Sequence, residues 1–483
     1  MQTETDNIYH GRPPFFKRVG QWFGDIPHRF TAYWRGVGKK MSSIPSKIAA
    51  RAYITKTSPK PVKASMCLMG LGQLMQKQIV KGILFLLMFA AYIVYMVLAG
   101  GRAMYDFFSL GIIAANPWLG IKGDNSVVMM LLGILAFILT GFFIAVHLAN
   151  IRDARRTYEY VSRGNPTPNF KQSLGSMFDK YFYVTALVLP VVGVFVFNIL
   201  PIIFMIFLAF TDYGGDIVTT GALVSWVGFA NFKRLFAMSG LGSTFGKILG
   251  WNLLWAVMST ALNYFGGLGI ALLLNKKIVK AKKIWRAFPV LAYAVPGFIT
   301  LLAFKFMFSN QGPINYYIEL WGGVGKLFLG IDSKWSARLI GWLVNGWLSV
   351  PSSMLLATGI LANLNPDLYE AAKIDGASAW TQFVKITLPF VIFATTPVLI
   401  GQFMGNFNNF GVFYFLRGGI YCDGYFLASD TDLLINWLYN LSINKNYYSL
   451  GAAISIIIFI IAAVISLFVY IKSPSYSKED MYR

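Results

Sequence analysis

Long, charge-poor apolar runs alternate with polar segments along this chain, lying near 82–100, 127–149, 182–210, 248–274, 287–308, 339–362, 389–412 and 449–471. Each is long enough to cross the roughly 30 Å apolar layer of a bilayer as a helix. A helix is the element to expect there, because it satisfies its own backbone polar groups where lipid offers none. The pattern predicts an all-α polytopic membrane protein with about eight transmembrane helices.

The polar segment between the sixth and seventh runs is more organised than a connection requires. It contains "EAAKIDGASAWTQFVKITLP" over 370–389, preceded by Asn365-Pro366-Asp367. An asparagine side chain caps free backbone N–H groups, and proline is tolerated in a first helical turn. A helix is therefore expected from about Pro366 to Asp375. Gly376 then breaks the period, and Ser378 caps a second short helix ending at Pro389. Leu368, Ala371 and Ala372 share one face of the first arm; Trp380, Phe383, Val384 and Thr387 share one face of the second. Periodicity leaves two readings open, an element that couples to a partner and an ordinary inter-helix loop.

Composition removes the soluble alternative. A length of 483 residues would suit about three soluble domains, but the chain is 56% hydrophobic and only 13% charged, against roughly a quarter charged in soluble domains. The mean hydropathy is +0.57. A net charge of +22 raises nucleic acid as a partner, yet the basic residues lie between the spans rather than on one soluble face. Arg152, Arg155, Arg156, Arg163, Lys171 and Lys180 fill one connection, and Lys276, Lys277, Lys280, Lys282, Lys283 and Arg286 another. Both connections belong in the cytoplasm by the positive-inside rule. An even span count puts both termini there too, in agreement with Lys17, Arg18, Arg29, Arg35, Lys39 and Lys40 of the N-terminal arm. That arm reads as loosely ordered, or as a basic, aromatic segment lying on anionic membrane lipid. The same alternation places the 364–388 elbow inside and the loops near 101–126, 211–247, 309–338 and 413–448 outside. Cys67 and Cys422 then lie on opposite sides and cannot pair. Residues 1 to 65 show no cleavable signal peptide, lacking a short apolar core before a small-residue site.

Fuel-handling chemistry is not visible. "GSTFGKI" (242–248) and "GGVGKL" (322–327) end in Gly-Lys but lack the spacing that wraps a phosphate. His10, His28 and His147 form no metal-ligand cluster, and no nucleophile, base and orienting residue group together. Lys305 and His147 sit toward the ends of their spans, where such side chains reach the interface. A stand-alone secondary transporter or channel would show charges within its spans or interrupted helices in matched halves. A membrane-embedded glycan or lipid enzyme would cluster carboxylates or histidines at one face. Neither pattern is seen.

"LYEAAKIDGASAWTQFVKITLP" closely resembles the EAA loop of binding-protein-dependent ABC importer permeases, matching at Glu370, Ala371, Ala372, Asp375, Gly376, Ile386, Leu388 and Pro389. The resemblance covers about 180–471 and narrows to maltose-type carbohydrate permeases through "WVGFANFKRLF" (226–236), "SNQGPINYYI" (309–318), "NGWLSVPSSMLLATGILANL" (345–364), "FNNF" (407–410) and "TDLLINWLYN" (431–440). "LMGLGQLMQKQIVKG" (68–82) is similar to N-terminal segments of Gram-positive members. The resemblance implies a type I importer permease fold with two extra N-terminal helices. Residues 1–80 would form the basic arm, 81–180 the accessory helices, 181–475 a six-helix core with its coupling loop at 364–389, and 476–483 a cytoplasmic tail. The outer loop at 211–247 is much shorter than the folded insert of some members, so a binding protein would not dock through one here.

The same resemblance implies the partners: a second EAA-bearing permease subunit, two ATPase subunits that hold ATP and Mg, and an extracytoplasmic solute-binding protein. The chain itself would be no enzyme and would bind no cofactor directly. In the family, closure of the ATPases drives alternating access through the elbow, in a prokaryotic cell membrane. Glu370, Ala371, Ala372, Asp375, Gly376, Trp380 and Phe383 would couple to the ATPase, with Glu370 reaching a basic group and Trp380 and Phe383 giving contact area. The cargo would be a carbohydrate, with a maltodextrin-like oligosaccharide as the first expectation. Spans flanking the elbow mix amides, hydroxyls and apolar surface, as a sugar site needs: Asn345, Leu348, Ser349 and Ser352 before it, and Gln402, Gly405, Asn406 and Asn409 after it. Gly405 and Ser349-Val350 depart from the maltose-type pattern, a glycine standing where an aromatic can stack. The alternative is that these amides bond neighbouring helices.

Overall fold

The computed structural model describes residues 58–472 apart from 180–181, 216, 219–221 and 277. Residues 1–57 of the basic arm, with His10 and His28, the tail at 476–483, Lys180 and Lys277 lie outside the described residues. Among those described, structure is helical, with only isolated bridges at Asn116–Ile121 and Thr211–Trp226. The labelled helices are α1 (Lys60–Cys67), α2 (Leu71–Met75), α3 (Ile79–Ser109), α4 (Ser126–Ser162), α5 (Phe182–Leu208), α6 (Leu241–Asn275), α7 (Lys282–Ala294), α8 (Gly297–Met307), α9 (Lys334–Ala362) and α10 (Pro366–Ile374). Then follow α11 (Ala379–Gln382, Phe383–Thr387 and Leu388–Phe407 in succession), α12 (Gly411–Arg417), α13 (Leu434–Tyr439) and α14 (Tyr448–Lys472).

Among the described residues, seven helices are long and apolar enough to span a membrane, or eight if α7 and α8 form one broken span. The expected run at 287–308 is thus not one straight helix: its halves bend by 82°. The reason is local. Pro296 has no N–H to continue the ladder and pushes Val295 into extended backbone at φ −83°, ψ 132°. The α4 helix, in contrast, outruns its apolar segment. Its 37 residues measure about 55 Å, so the stretch read as a connection from residue 150 begins as helix, supported by an Arg155–Glu159 pair at 3.0 Å.

Proline also explains a difference at the elbow, where the sequence suggests that the second arm stops at Pro389. Instead the helix continues. Phe383–Thr387 widens into a π-turn, and Pro389 sits in the first turn of the α-segment that follows. Widening relieves the clash between the proline ring and the carbonyl four residues back. Pro201 of α5 follows a π-turn at Phe195–Ile199 in the same way.

The described residues divide into two compact units, those up to 102 with 135–192 and those of 103–134 with 193 onward. In the first, buried Gln73 of α2 donates to the Asn150 carbonyl at 3.2 Å and to Asp153 at 3.0 Å, and Lys81 pairs with Asp153 at 2.6 Å. Tyr92 stacks on Phe143 at 3.8 Å. In the second unit, α6 runs through the core and buries one face, including Asn252, Trp255, Ser259, Asn263 and Gly267. It lies so close to α9 that a Cβ at Gly267 would meet Ser353 and Met354 at 2.5–2.7 Å. Small residues permit such approach where lipid supplies no hydrophobic drive.

A polar cluster ties the segment after α12 to the start of α9. Arg417, 1% exposed, donates to Asp430 Oδ1 at 2.7 Å, to Thr431 Oγ1 at 2.9 Å and to the Gly330 carbonyl at 2.7 Å. Arg338 lies 3.7 Å from the Trp251 ring and donates to the Asp430 carbonyl at 2.7 Å. Removing one partner of such a buried pair costs about 3–5 kcal/mol, since the other is left uncompensated.

Asp432, beside this cluster, accepts from the Ser429 N–H at 2.9 Å and from Asn440 at 3.3 Å. Burial pushes its carboxyl up to about 7, with the Ser429 N–H and Arg417 pulling it back and Asp430 adding to the rise. The folded chain therefore keeps a proton that the unfolded chain releases near pH 4. This contribution to stability is complete below about pH 4 and is lost as pH rises through about 7. Thermal unfolding of the purified chain should show part of its stability declining across that window, and Asp432→Asn should flatten that part. An identical pH profile in the variant would mean that the buried carboxyl is not the source.

Candidate functional site

The elbow is built from local caps. Asn365 accepts from the Asp367 N–H at 3.0 Å and opens α10, with Pro366 in its first turn. Asp375 ends it. Gly376 takes φ +75°, its N–H bonding the Lys373 carbonyl at 3.0 Å while the Ala377 N–H bonds that of Ala372 at 2.9 Å. This pair of bonds is a Schellman closure, which needs a left-handed residue where glycine sits. Ser378 then accepts from the Thr381 N–H at 3.2 Å and opens α11.

The two arms are tied together and to the spans. The Tyr369 hydroxyl lies 2.8 Å from Thr387 Oγ1, and Tyr369 and Phe383 pack on the cluster formed by Leu361, Leu364 and Val391. Of the face read as Trp380, Phe383, Val384 and Thr387, Thr387 is buried and Phe383 partly buried, whereas Trp380 is 71% exposed. The π-turn shifts the helical phase between them, which a regular period does not anticipate. Glu370, Ala371, Asp375 and Gly376 are exposed and Ala372 partly so; Leu368 and Ile374 are also open, the latter 87% exposed. The elbow thus presents a polar and apolar outer surface on a rigid frame.

The second candidate group gathers where α6, α9 and α11 meet. Asn409 donates to Asn345 Oδ1 at 3.3 Å, Asn345 to Asn406 Oδ1 at 3.4 Å, Asn406 to Thr260 Oγ1 at 3.0 Å, and Thr260 to the Ala256 carbonyl at 2.7 Å. Asn409 also accepts from the Val412 N–H at 3.1 Å, at the start of α12. Asn345 and Asn406 are only 3% and 7% exposed. Leu348, Ser349, Ser352, Gln402 and Asn409 are partly open, and Gly405 is exposed with nothing within 4 Å of a Cβ placed there. Gln402 donates to Ser353 at 3.0 Å while its buried carbonyl oxygen has no partner. Ser352 bonds the Ser349 carbonyl at 2.8 Å. The group therefore has a bonded interior, made by the two buried asparagines, and a more open polar side that can meet a ligand.

Residues outside the sequence-based set join it. Thr260 ends the amide chain on the third helix, and Asn252 bridges the Phe407 carbonyl at 3.1 Å to the Leu434 N–H at 3.0 Å. Trp255 and Trp342 stack at 6.2 Å, and both indole nitrogens are buried without a partner. The available signal was a polar residue at helical spacing within an apolar run, which α6 carries at Asn252, Ser259 and Asn263. Lys305 is exposed in the last turn of α8, and His147 Nε2 donates to the Met66 carbonyl at 3.2 Å. Among the described residues no group of three or more acidic, histidine or cysteine side chains could hold a metal.

Residues 264–478, which include the elbow and most of the amide group, match the family described as "Binding-protein-dependent transport system inner membrane component". The chain is 34% identical over 413 residues to the galactooligosaccharides transport system permease protein GanP of Bacillus subtilis, covering 85% of this chain and 96% of that one. It is 31% identical over 439 residues to the maltodextrin transport system permease protein MalC of Streptococcus pneumoniae, covering 87% and 98%. A crystal structure of a bacterial ABC transporter involved in import of the acidic polysaccharide alginate shares the fold, with a TM-score of 0.50 and 21% identity over 62% of this chain and 96% of that one. With an elbow of this construction and relatives matched over nearly their whole length, the chain belongs to the binding-protein-dependent transport system inner membrane components.

Proposed function

We propose that the chain is one permease subunit of an ATP-driven importer that takes up an oligosaccharide by alternating access. The observation that carries this reading is the elbow, a doubly capped turn whose exposed Glu370, Ile374 and Trp380 stand on a frame bonded to the spans. A second, similar permease subunit would complete the pathway. Two ATPase subunits holding ATP and Mg would engage the elbow, and an extracytoplasmic binding protein would deliver the cargo. A rigid elbow passes displacement on, because its arms cannot fold independently of the helices they join. An oligosaccharide is favoured by the names of the relatives, which transport galactooligosaccharides and maltodextrin, and by the partly open Leu348, Ser349, Ser352 and Gln402.

Gly376→Val tests the coupling. A Cβ there meets nothing within 4 Å, so the cost is the left-handed backbone itself, about 1–2 kcal/mol. Uptake should drop several-fold while membrane insertion is kept. Unaltered uptake together with normal co-purification of the ATPase would refute the assignment.

For the cargo site, the buried and the open members should separate. Asn406→Ala leaves Thr260 and Asn345 short of a partner, so it should lower the stability of the chain by about 1–3 kcal/mol. Gln402→Ala should instead weaken uptake or shift the preferred sugar with assembly intact. Should Gln402→Ala carry every tested sugar as well as the parent does, the open side of this group is not the cargo site.

Orientation is read from the basic connections, with both termini in the cytoplasm. Cys67 is exposed and Cys422 partly buried. In intact cells an impermeant thiol reagent should react with Cys422, slowly, and spare Cys67. Modification of Cys67 from outside would reverse the orientation.

A further inference from the structure

Between the elbow and the ends of α6 and α9 lies a cleft of about 860 Å³, bordered by Trp380 and Phe383 of the coupling set. Sites for small ligands commonly measure about 300–1,000 Å³. Buried Leu361 and Leu364 make an apolar floor, flanked by Gly269, Leu272 and the exposed Leu273; exposed Lys276 and Lys373 mark its mouth. Trp380 and Phe383, with rings 5.6 Å apart, form a wall. Gly269 lies six residues before the end of α6, so the floor reaches about 9 Å along a transmembrane helix. An acyl chain matches an apolar floor that runs along a helix in this way.

The polar groups around the mouth narrow the choice of headgroup. Tyr369 and Thr387 bond each other at 2.8 Å, and the Gln382 amide donates to the Ala377 carbonyl at 2.9 Å. The ammonium groups remain. Among the described residues neither lysine has a carboxylate at ion-pairing distance, and Asp367, Glu370 and Asp375 of the first arm do not line the cleft. An apolar trough ending in two unpaired cations suits an amphiphile with an anionic head.

We propose that this cleft seats one anionic phospholipid, its phosphate between Lys276 and Lys373 and an acyl chain along Leu272, Leu273, Leu361 and Leu364. The lipid then joins the elbow to the span ends at the point where the transport reading requires force to pass. Its origin in the cytoplasmic leaflet rests on the orientation proposed above; its retention by the chain does not, so the two fail separately.

The test is native mass spectrometry of the full chain in detergent, offered phosphatidylglycerol, phosphatidylcholine or inorganic phosphate, with helical content checked for each variant. The parent should keep one phosphatidylglycerol at least about tenfold more readily than phosphatidylcholine. Lys276→Ala with Lys373→Ala should abolish that preference, and Lys276→Arg with Lys373→Arg should restore it. Leu272→Trp, which fills the floor but spares both lysines, should expel the lipid. Equal retention by the alanine pair or by Leu272→Trp, equal retention of phosphatidylcholine, or exclusion of lipid by inorganic phosphate would each overturn the proposal. If the folded parent keeps no lipid, the cleft belongs to a protein partner and the proposal fails.

Discussion

The close approach of α6 to α9 is the contact on which the larger unit depends. Lipid tails are as apolar as leucine, so burying leucine between helices gains little inside a membrane. What holds these helices is fit at short range, with Gly267 against Ser353 and Met354, and polar bonds that have no alternative partner nearby. The chain from Asn409 through Asn345 and Asn406 to Thr260 brings α11 into the same junction. Because α9 leads into the elbow and α11 leads out of it, the junction fixes both of the elbow's anchor points.

This places rigidity and openness in adjacent layers. Asn345 and Asn406 give up their hydrogen-bonding capacity to neighbouring helices, while the Gln402 carbonyl oxygen keeps no partner and Gly405 stays exposed. A polar group already bonded in the fold has less to offer a sugar hydroxyl, since it must break one bond to make another. Amides that line a pathway can therefore shape it without being its principal contacts.

Local structure was the legible part of the sequence. The caps at Asn365 and Ser378 and the turn at Gly376 depend on residues a few positions apart, so their chemistry can be read directly. The span pattern was legible for the same reason that hydropathy works at all, the cost of unpaired backbone in lipid. Proline was ambiguous: Pro296 breaks its helix, whereas Pro389 and Pro201 are accommodated by π-turns, and the residue alone does not say which. The Arg417 cluster was not legible. Arg417 meets Asp430 across 13 positions of chain and the Gly330 carbonyl across 87, and nothing in their immediate surroundings marks a buried ion pair. Nor could spacing reveal that Asn345 and Asn406 are bonded to each other across 61 positions.

The π-turn at Phe383–Thr387 makes the aim of the elbow a matter of counting residues. One turn of this kind carries an additional residue relative to a regular helix, and a residue is worth about 100° of rotation. Losing it would leave every side chain chemically intact and every cap in place, yet swing Trp380 about a quarter of a turn around the axis of the span below. Here the chain should tolerate exchange of side chains far better than a change of length by one.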